Sequence, residues 1–281
     1  MTYVISRSVA LAVGLILGWL DLAGATEISP HRALYSLSLA SSKAGSGVVD
    51  ATGAMIYEWG ETCDAWTVQQ RFRLRLVYED ADPVELSSTL VSWESKDGLR
   101  YRFNERRLRN GEPEEEVRGE ARLDGAGKGG KADFTKPDAA SLTLAPNVLF
   151  PTAHTLLLIE RAAAGDNFLS RDVFDGATED NASQISAVIG PRMDPGAAGD
   201  NASAATASNK DKRLKSMLIE RPSWRVRLAF FPADAKSDEP DYELGMRLFD
   251  NGVSGDMSLD YSDYVIRAKL DEIEPLSRPA C

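Results

Sequence analysis

The stretch "ETCDAWTVQQRFRLRLVYED", residues 61–80, contains the two features that decide the fold. From residue 71 to residue 76 arginine alternates with phenylalanine or leucine, so the apolar side chains share one face and the arginines the other. A period of two is typical of a half-buried β-strand. The stretch also holds Cys63, one of only two cysteines in the 281-residue chain, and the other is the last residue, Cys281.

The same alternation recurs along most of the chain. Leu99, Tyr101 and Phe103 alternate with polar residues, and so do the apolar residues of 224–230. Further strands are predicted at 33–40, 47–60, 84–95, 114–123, 130–135, 167–174, 184–189, 241–249 and 255–271. Residues that favour hairpin turns separate many of them: Lys96-Asp97-Gly98, Asn110-Gly111, Asp124-Gly125 and Asn251-Gly252. The sequence therefore predicts an all-β chain that forms one long antiparallel meander.

One stretch, "TAHTLLLIERAAAGD", has helical character. It predicts a short α-helix at about 152–164, with Thr152 as N-cap and Gly165 as the C-terminal stop. The residues available for its apolar stripe are Leu156, Leu157, Ile159 and Ala163. A single helix among many strands is expected to plug or flank the sheet.

Residues 191–216 break the strand pattern. They are rich in Ala, Gly, Ser, Asn and charge, with little to bury, which predicts a flexible insertion loop within one domain. Asn181 and Asn201 each begin an Asn-Ala-Ser sequon, which matters only in a host that glycosylates exported proteins.

The N-terminus predicts export. Arg7 precedes an apolar run from residue 9 to residue 20, and a small-x-small site ends at Ala25. This pattern indicates a secretory signal peptide, residues 1–25, cleaved after Ala25, because the run is shorter than the roughly 20 residues that span a bilayer. Residues 26–281 would then form the mature domain, which we expect to be periplasmic and not membrane-spanning. Its formal net charge of -11 argues against nucleic acid as a partner.

Both cysteines lie in the predicted mature chain. In an oxidising compartment, two cysteines that have no histidine nearby in sequence favour a disulfide over a metal site, so a Cys63–Cys281 bond is predicted. The alternative is two separate thiols. In the loop-closure model a bridge over this length restricts the unfolded chain by at most about 5 kcal/mol.

No motif identifies an enzyme. "GAGKGG", residues 125–130, formally satisfies a dinucleotide fingerprint, but a strand-like segment follows it, so a hairpin loop is the better interpretation. Only His31 and His154 are present, which leaves a zinc site short of ligands. His154 is the one candidate for a hydrolase triad, against a structural role at the helix start. We therefore predict no catalytic, cofactor-binding or metal-binding residues, and no cofactor.

Two rows of arginine suggest an anion site as one hypothesis. If the strands that hold Arg71–Arg75 and Arg100–Arg102 are neighbours, their polar faces make a basic ladder for phosphate or carboxylate. The alternative, which we prefer, is a solvated outer face neutralised by nearby glutamates: Glu58, Glu79, Glu94 and Glu105.

A set of segments in fixed order resembles one known family. They are "HRALYSLSLA" (31–40), "GAMIYEWGETCDAWTVQQRF" (53–72), "WESKDGLRYRFNE" (93–105), "FPTAHT" (150–155), "VFDG" (173–176), "AVIG" (187–190), "DYELGMRLFDNGV" (241–253) and the terminal cysteine. Together they resemble the envelope integrity protein EipB family of Gram-negative bacteria, over nearly the whole mature chain.

The resemblance implies a periplasmic protein with a spiral, incompletely closed β-barrel-like sheet and a disulfide between Cys63 and Cys281. It also implies a noncatalytic role in envelope integrity under stress, with an envelope protein, such as one with helical repeats, as partner. A second hypothesis is a carrier of lipid or another hydrophobic ligand, because a curved sheet with one helix makes a concave apolar pocket. A hydrolase that uses His154 is the third.

Overall fold

The computed structural model describes residues 27–177, 182–195, 218–232 and 239–281. These residues form fourteen strands and one helix. The elements are β1 (His31–Ser42), β2 (Val48–Glu61), β3 (Ala65–Tyr78), β4 (Val84–Ser95), β5 (Arg100–Arg109), β6 (Glu112–Leu123), β7 (Gly130–Lys136), β8 (Ala140–Leu144), α1 (Pro151–Ala164), β9 (Phe168–Val173), β10 (Ser183–Met193), β11 (Ser223–Phe231), β12 (Tyr242–Phe249), β13 (Ser254–Asp260) and β14 (Tyr264–Pro275). The predicted signal peptide and both sequon asparagines, Asn181 and Asn201, lie outside the described residues.

All fourteen strands belong to one antiparallel sheet that is not closed. Its order is β8-β7-β6-β5-β4-β3-β2-β1-β14-β13-β12-β11-β10-β9, so two meanders meet where β1 pairs with β14. The sheet curls until the segment after β8 approaches β9, where Leu149 and Val173 form a single parallel bridge. The predicted fold class, an incompletely closed β-barrel-like sheet with one helix, is confirmed.

Three details of the predicted secondary structure differ from the structure. The predicted strand 255–271 is two strands, because Ser262 adopts a φ of 68° and turns the chain between β13 and β14. Strand β8 was not predicted. The predicted loop 191–216 starts too early, because residues 191–193 end strand β10, and most of the remaining segment lies outside the described residues.

The alternating faces pack as the pattern predicts. On β3, Leu74 and Leu76 are buried, and the three arginines between residues 71 and 75 are exposed. On β5, Tyr101 and Phe103 are buried in the same way. The inward side chains form three apolar clusters under the curved sheet, and α1 packs on one of them through Leu158, Ile159 and Ala162.

The helix boundaries are close to the prediction, but its cap and its buried face differ. Pro151 is already helical and Phe150 is the N-cap, so Thr152 is not the cap. The buried residues of α1 are Thr152, His154, Leu158, Ile159 and Ala162. The predicted apolar stripe is therefore correct at Ile159. It omits Leu158 and Ala162, which are buried, and it includes Ala163, which is exposed. Gly165 ends the helix in the left-handed region, as predicted.

A carboxylate from β4 caps this helix. Glu94 Oε2 accepts a hydrogen bond from the Thr152 backbone N–H at 2.7 Å, and Oε1 accepts one from Ala153 at 2.8 Å. The first N–H groups of a helix have no partner inside the helix, so these bonds satisfy two of them. Glu94 thus ties α1 to the middle of the sheet.

The sheet order also explains where the chain ends. His31 pairs with Trp59 on one side and with Pro275 on the other, so the segment after β14 runs towards the β2–β3 turn. The Leu276 N–H bonds to the Pro30 carbonyl at 2.9 Å and continues this course. Cys281 then forms a disulfide with Cys63, with their Cα atoms 5.7 Å apart.

Candidate functional site

The curved sheet and α1 line a partly open cavity of about 670 Å³. This volume lies within the roughly 300–1,000 Å³ typical of ligand-binding pockets. Its wall is mostly apolar. The residues that line it come from α1 and from strands in both halves of the sheet, including β2, β3, β4, β11, β12 and β13. Met55, Phe72, Leu158, Leu244 and Met246 are among the apolar residues that line it.

Three aromatic rings stand together on this wall. Tyr57 and Trp59 meet edge to face with ring centroids 6.3 Å apart, and His31 lies 6.2 Å from the first and 6.4 Å from the second. Strand β2 directs residues 57 and 59 to one side, and the cross-strand pairing of His31 with Trp59 adds the imidazole. The Trp59 indole N–H has no hydrogen-bond partner within the described part of the chain.

Both histidines of the chain line the same cavity, although 123 positions of sequence separate them. The His31 Nδ1–H donates to the Ser29 carbonyl at 2.8 Å, and burial lowers the pKa of His31. Burial, together with Arg171, lowers the pKa of His154 to about 4. Both rings are therefore neutral at pH 7. The His154 Nε2 atom is buried and has no partner among the described residues.

The charged part of the wall is internally paired. Arg107 donates to Glu105 at 2.9 Å and to Glu115 at 2.8 Å. Burial raises the pKa of Glu105 and of Asp175, and Arg107 opposes both shifts. The next residue, Gly176, packs closely against the Phe103 ring, because the φ of Gly176 is 67° and a Cβ there would lie 2.4 Å from that ring.

The two arginine rows do not form a ladder. Strand β4 lies between β3 and β5, so the strands of the two rows are not neighbours. Arg100 and Arg102 instead lie over the Trp93 ring, at 5.6 and 4.9 Å from its centroid. The expected neutralising glutamates are also wrong in part, since Glu94 is buried at the helix N-terminus.

Two of the predicted glutamates pair with arginines outside the two rows. Glu58 pairs with Arg32, and Glu105 pairs with Arg107. Arg75 pairs with Glu85, a residue the sequence did not single out. The face is solvated, as expected, but its charge partners are set by strand register.

The remaining sequence candidates are placed as follows. "GAGKGG" forms the turn between β6 and β7 and is followed by a strand, as the hairpin interpretation predicts. Across the residues described, no three His, Cys, Asp or Glu side chains lie close enough together to hold a metal ion. In the same ranges, no helix has the length and apolar character needed to cross a membrane.

Sequence reasoning did not identify Tyr57, Trp59, Glu94, Glu105 or Asp175 as wall or capping residues. One signal was available, because Met55, Tyr57 and Trp59 alternate on β2 and so share a face. The other placements depend on how far the sheet curls, which the local pattern does not encode.

Comparisons with known proteins agree with this geometry. The family model described as EipB-like matches residues 22–277. The chain is 29% identical to "Cell envelope integrity protein EipB" of Brucella abortus (strain 2308), over 90% of this chain and 86% of that protein. It also resembles the crystal structure of a beta-barrel-like protein of the domain of unknown function DUF1849 from Brucella abortus. That match has a TM-score of 0.77 and 28% identity, and covers 89% of this chain and 99% of the other. The resemblance seen in the sequence is therefore confirmed, and the chain belongs to the EipB-like family.

Proposed function

We propose that this protein is a noncatalytic periplasmic factor that supports the integrity of the cell envelope. The observation that carries the proposal is its membership of the EipB-like family, whose relative in Brucella abortus is named a cell envelope integrity protein. The noncatalytic part is supported by the setting of the histidines. The His31 Nδ1–H donates to a backbone carbonyl, and His154 Nε2 has no hydrogen-bond partner among the described residues, whereas a general base needs a nucleophile within hydrogen-bond reach.

The proposal includes export. Residues 1–25 act as the signal peptide, cleaved after Ala25, and residues 26–281 form one domain, in which the predicted insertion loop 191–216 begins after β10 ends at Met193. The Cys63–Cys281 disulfide supports an oxidising compartment, because such bonds persist outside the cytoplasm.

Two modes of action are compatible with this role. In the first, the disulfide-linked sheet is a scaffold for an envelope protein, such as one with helical repeats. The directly paired, exposed Phe168 and Val188, on the edge strand β9 and its neighbour, support this mode. In the second, the protein carries lipid or another hydrophobic ligand. The cavity of about 670 Å³ with its apolar wall favours this second mode.

We expect a strain that lacks the gene to become sensitive to detergent, and the wild-type gene to restore resistance. A version without residues 1–25 should fail to restore it, because the protein would stay in the cytoplasm. The highest detergent concentration at which each strain still grows measures both effects. A deletion strain with unchanged resistance would contradict the envelope role.

A cavity-filling variant separates the two modes. Leu244 lines the cavity, so Leu244→Trp should occupy the ligand space, whereas Val49→Trp adds the same ring at an exposed position. Under the carrier mode Leu244→Trp fails to restore detergent resistance and Val49→Trp succeeds. If both variants fold, with thermal midpoints near that of the wild type, and both restore resistance, the scaffold mode is favoured.

A further inference from the structure

The outer face of strands β3–β7, which points away from the cavity, is strongly basic. We call it the basic face and define it by the outward positions of residues 67–75, 85–93, 100–106, 116–122 and 131–136. These positions carry ten Lys and Arg side chains against four acids, Glu85, Glu116, Glu120 and Asp133. The whole chain has a formal net charge of -11, so the excess of positive charge is local to this face. An anionic partner is therefore attracted to this side of the sheet.

Four arginines of the basic face have no acidic partner among the described residues. Arg71 and Arg73 lie on β3, Arg106 on β5 and Arg118 on β6, and all four side chains are exposed. Other exposed arginines of the sheet do form ion pairs, for example Arg32, Arg109 and Arg227. A guanidinium group without a partner can donate two parallel hydrogen bonds to the carboxylate of a ligand.

A groove of about 940 Å³ crosses the basic face. Two neighbouring rows of cross-strand pairs form its floor. One row runs from Gln69 through Asn104 to Arg118, and the other runs from Thr67 to Asp133. Five strands make four steps of about 4.8 Å, so the groove is about 19 Å long. This shape suits an extended chain that lies across the strands.

The floor of the groove presents many hydrogen-bonding groups. Thr67 and Thr135 contribute hydroxyls, and Gln69 and Asn104 contribute amides, so each of these side chains can both donate and accept. Sugar hydroxyls need partners of this kind, because each of them donates one hydrogen bond and accepts others.

Trp93 and Arg102 add a cation to the same floor. The Arg102 guanidinium lies over the Trp93 ring, 4.9 Å from its centroid. Its nearest acid is Glu120, at 3.9 Å, which is too far for a hydrogen bond. Stacking on the ring therefore orients the guanidinium and leaves its N–H groups available to a ligand.

The groove favours an acidic sugar chain over two other anionic partners. An acidic peptide segment has carboxylates but no hydroxyls for the amides of the floor, and Glu120 would repel it. The same carboxylate accepts a hydrogen bond from a sugar hydroxyl. A bilayer surface is flat and does not enter a groove. Val91 is the one large hydrophobic residue of this described face that is exposed, so there is little apolar surface to insert.

We propose that the groove of the basic face binds an extended anionic polysaccharide, a sugar chain that carries carboxylate groups. Arg102 and Arg118 bind the carboxylates, and Gln69 and Asn104 bind the hydroxyls. The site lies on the opposite face of the sheet from the cavity and does not depend on the carrier mode. It would give the protein a direct contact with the sugar polymers of the envelope.

The test compares three ligands of six units each by titration calorimetry of the mature protein at pH 7.5 and low salt. Hexagalacturonate has carboxylates and hydroxyls, maltohexaose has hydroxyls alone, and hexaglutamate has carboxylates alone. Hexagalacturonate should bind at least about tenfold more tightly than either of the others, because it alone satisfies both kinds of group in the groove.

Two variants separate the contributions of charge and hydroxyl binding. Arg118→Gln should weaken hexagalacturonate binding about tenfold, and Asn104→Ala should weaken it about fivefold without changing hexaglutamate binding. Arg225→Gln is the matched control, because Arg225 is exposed on β11, outside the groove, and also has no acidic partner among the described residues. Its affinity should stay within about twofold of the wild type, and thermal unfolding checks that each variant is folded.

Cosedimentation with vesicles of phosphatidylcholine and phosphatidylglycerol completes the test. Equal affinity for hexagalacturonate and hexaglutamate would overturn the sugar site and leave an unspecific basic surface. Vesicle binding without hexagalacturonate binding would overturn it in favour of a membrane-docking face. An equal loss in folded Arg118→Gln and Arg225→Gln would show that the groove does not locate the ligand, and would overturn it as well.

Discussion

Replacing both cysteines, Cys63→Ala with Cys281→Ala, is expected to cost up to about 5 kcal/mol of unfolding free energy. The bond joins residues that are 218 positions apart in sequence. In the loop-closure model a disulfide lowers the conformational entropy of the unfolded chain, and this stabilising effect increases with the length of the loop. For a domain of this size, the loss corresponds to a fall in thermal midpoint of about 10–20 °C. Urea unfolding of the oxidised wild type and the double variant measures the difference.

The bond has a local role as well. After β14 the tail is joined to the sheet by the Leu276–Pro30 hydrogen bond, and the disulfide holds the last residue at the β2–β3 turn. Reduction of the wild type should reproduce the loss seen in the double variant, and reduction should leave the double variant unchanged. A double variant with the same urea midpoint as the oxidised wild type would contradict this account of the tether.

Glu94→Gln is expected to destabilise the protein by about 1–3 kcal/mol at pH 5. At this pH the buried carboxyl group of Glu94 is protonated, and both of its oxygens can still accept a hydrogen bond. A glutamine amide has one acceptor oxygen, so one of the two buried N–H groups, of Thr152 or Ala153, faces an NH₂ group and loses its partner. Glu85→Gln is the matched control on the same strand, because the Glu85 side chain is exposed and forms an ion pair with the exposed Arg75. Its effect should stay within about 0.5 kcal/mol.

The Glu94 variant should also change the pH dependence of stability. Burial raises the pKa of Glu94 to about 7 from the 4.5 of an ordinary glutamate, although the two N–H bonds oppose the shift. The folded state therefore holds this proton more tightly than the unfolded state. The wild type loses stability from this group as the pH rises from about 4.5 to 7, by up to about 3 kcal/mol.

Glutamine does not titrate, so Glu94→Gln does not lose stability in this way as the pH rises. The difference in unfolding free energy between the wild type and the variant should therefore become smaller between pH 5 and pH 8. Urea unfolding at the two pH values gives the gap, and the other titrating groups, including both histidines, are common to the two proteins. A gap that widens would show that the two N–H bonds dominate over burial, and that the carboxylate is the form the fold prefers.

Local alternation was enough to predict most strands. On β3 and β5, for example, successive residues alternate between a polar face and an apolar face. It failed where the signal was short or the break was small. Strand β8 has only five residues, and a single residue, Ser262, separates β13 from β14.

The site was less predictable, for a physical reason. The cap of α1 comes from Glu94, 58 residues before Thr152, and the two histidines meet at one cavity only because the sheet curls. Strand alternation predicts on which face of the sheet a side chain lies, but it does not predict how far the sheet bends. The apolar concave pocket was predicted as a consequence of curvature, whereas its charged wall residues and its unsatisfied polar atoms emerge only from the folded chain.

Native mass spectrometry of the protein released gently from its own host tests the central claim most directly, with the Leu244→Trp variant prepared in parallel. We expect the wild type to carry a bound hydrophobic molecule, seen as one extra mass that organic solvent removes, and the variant to be empty. Wild-type protein that leaves the host with no bound molecule would contradict the account of the cavity as a carrier site.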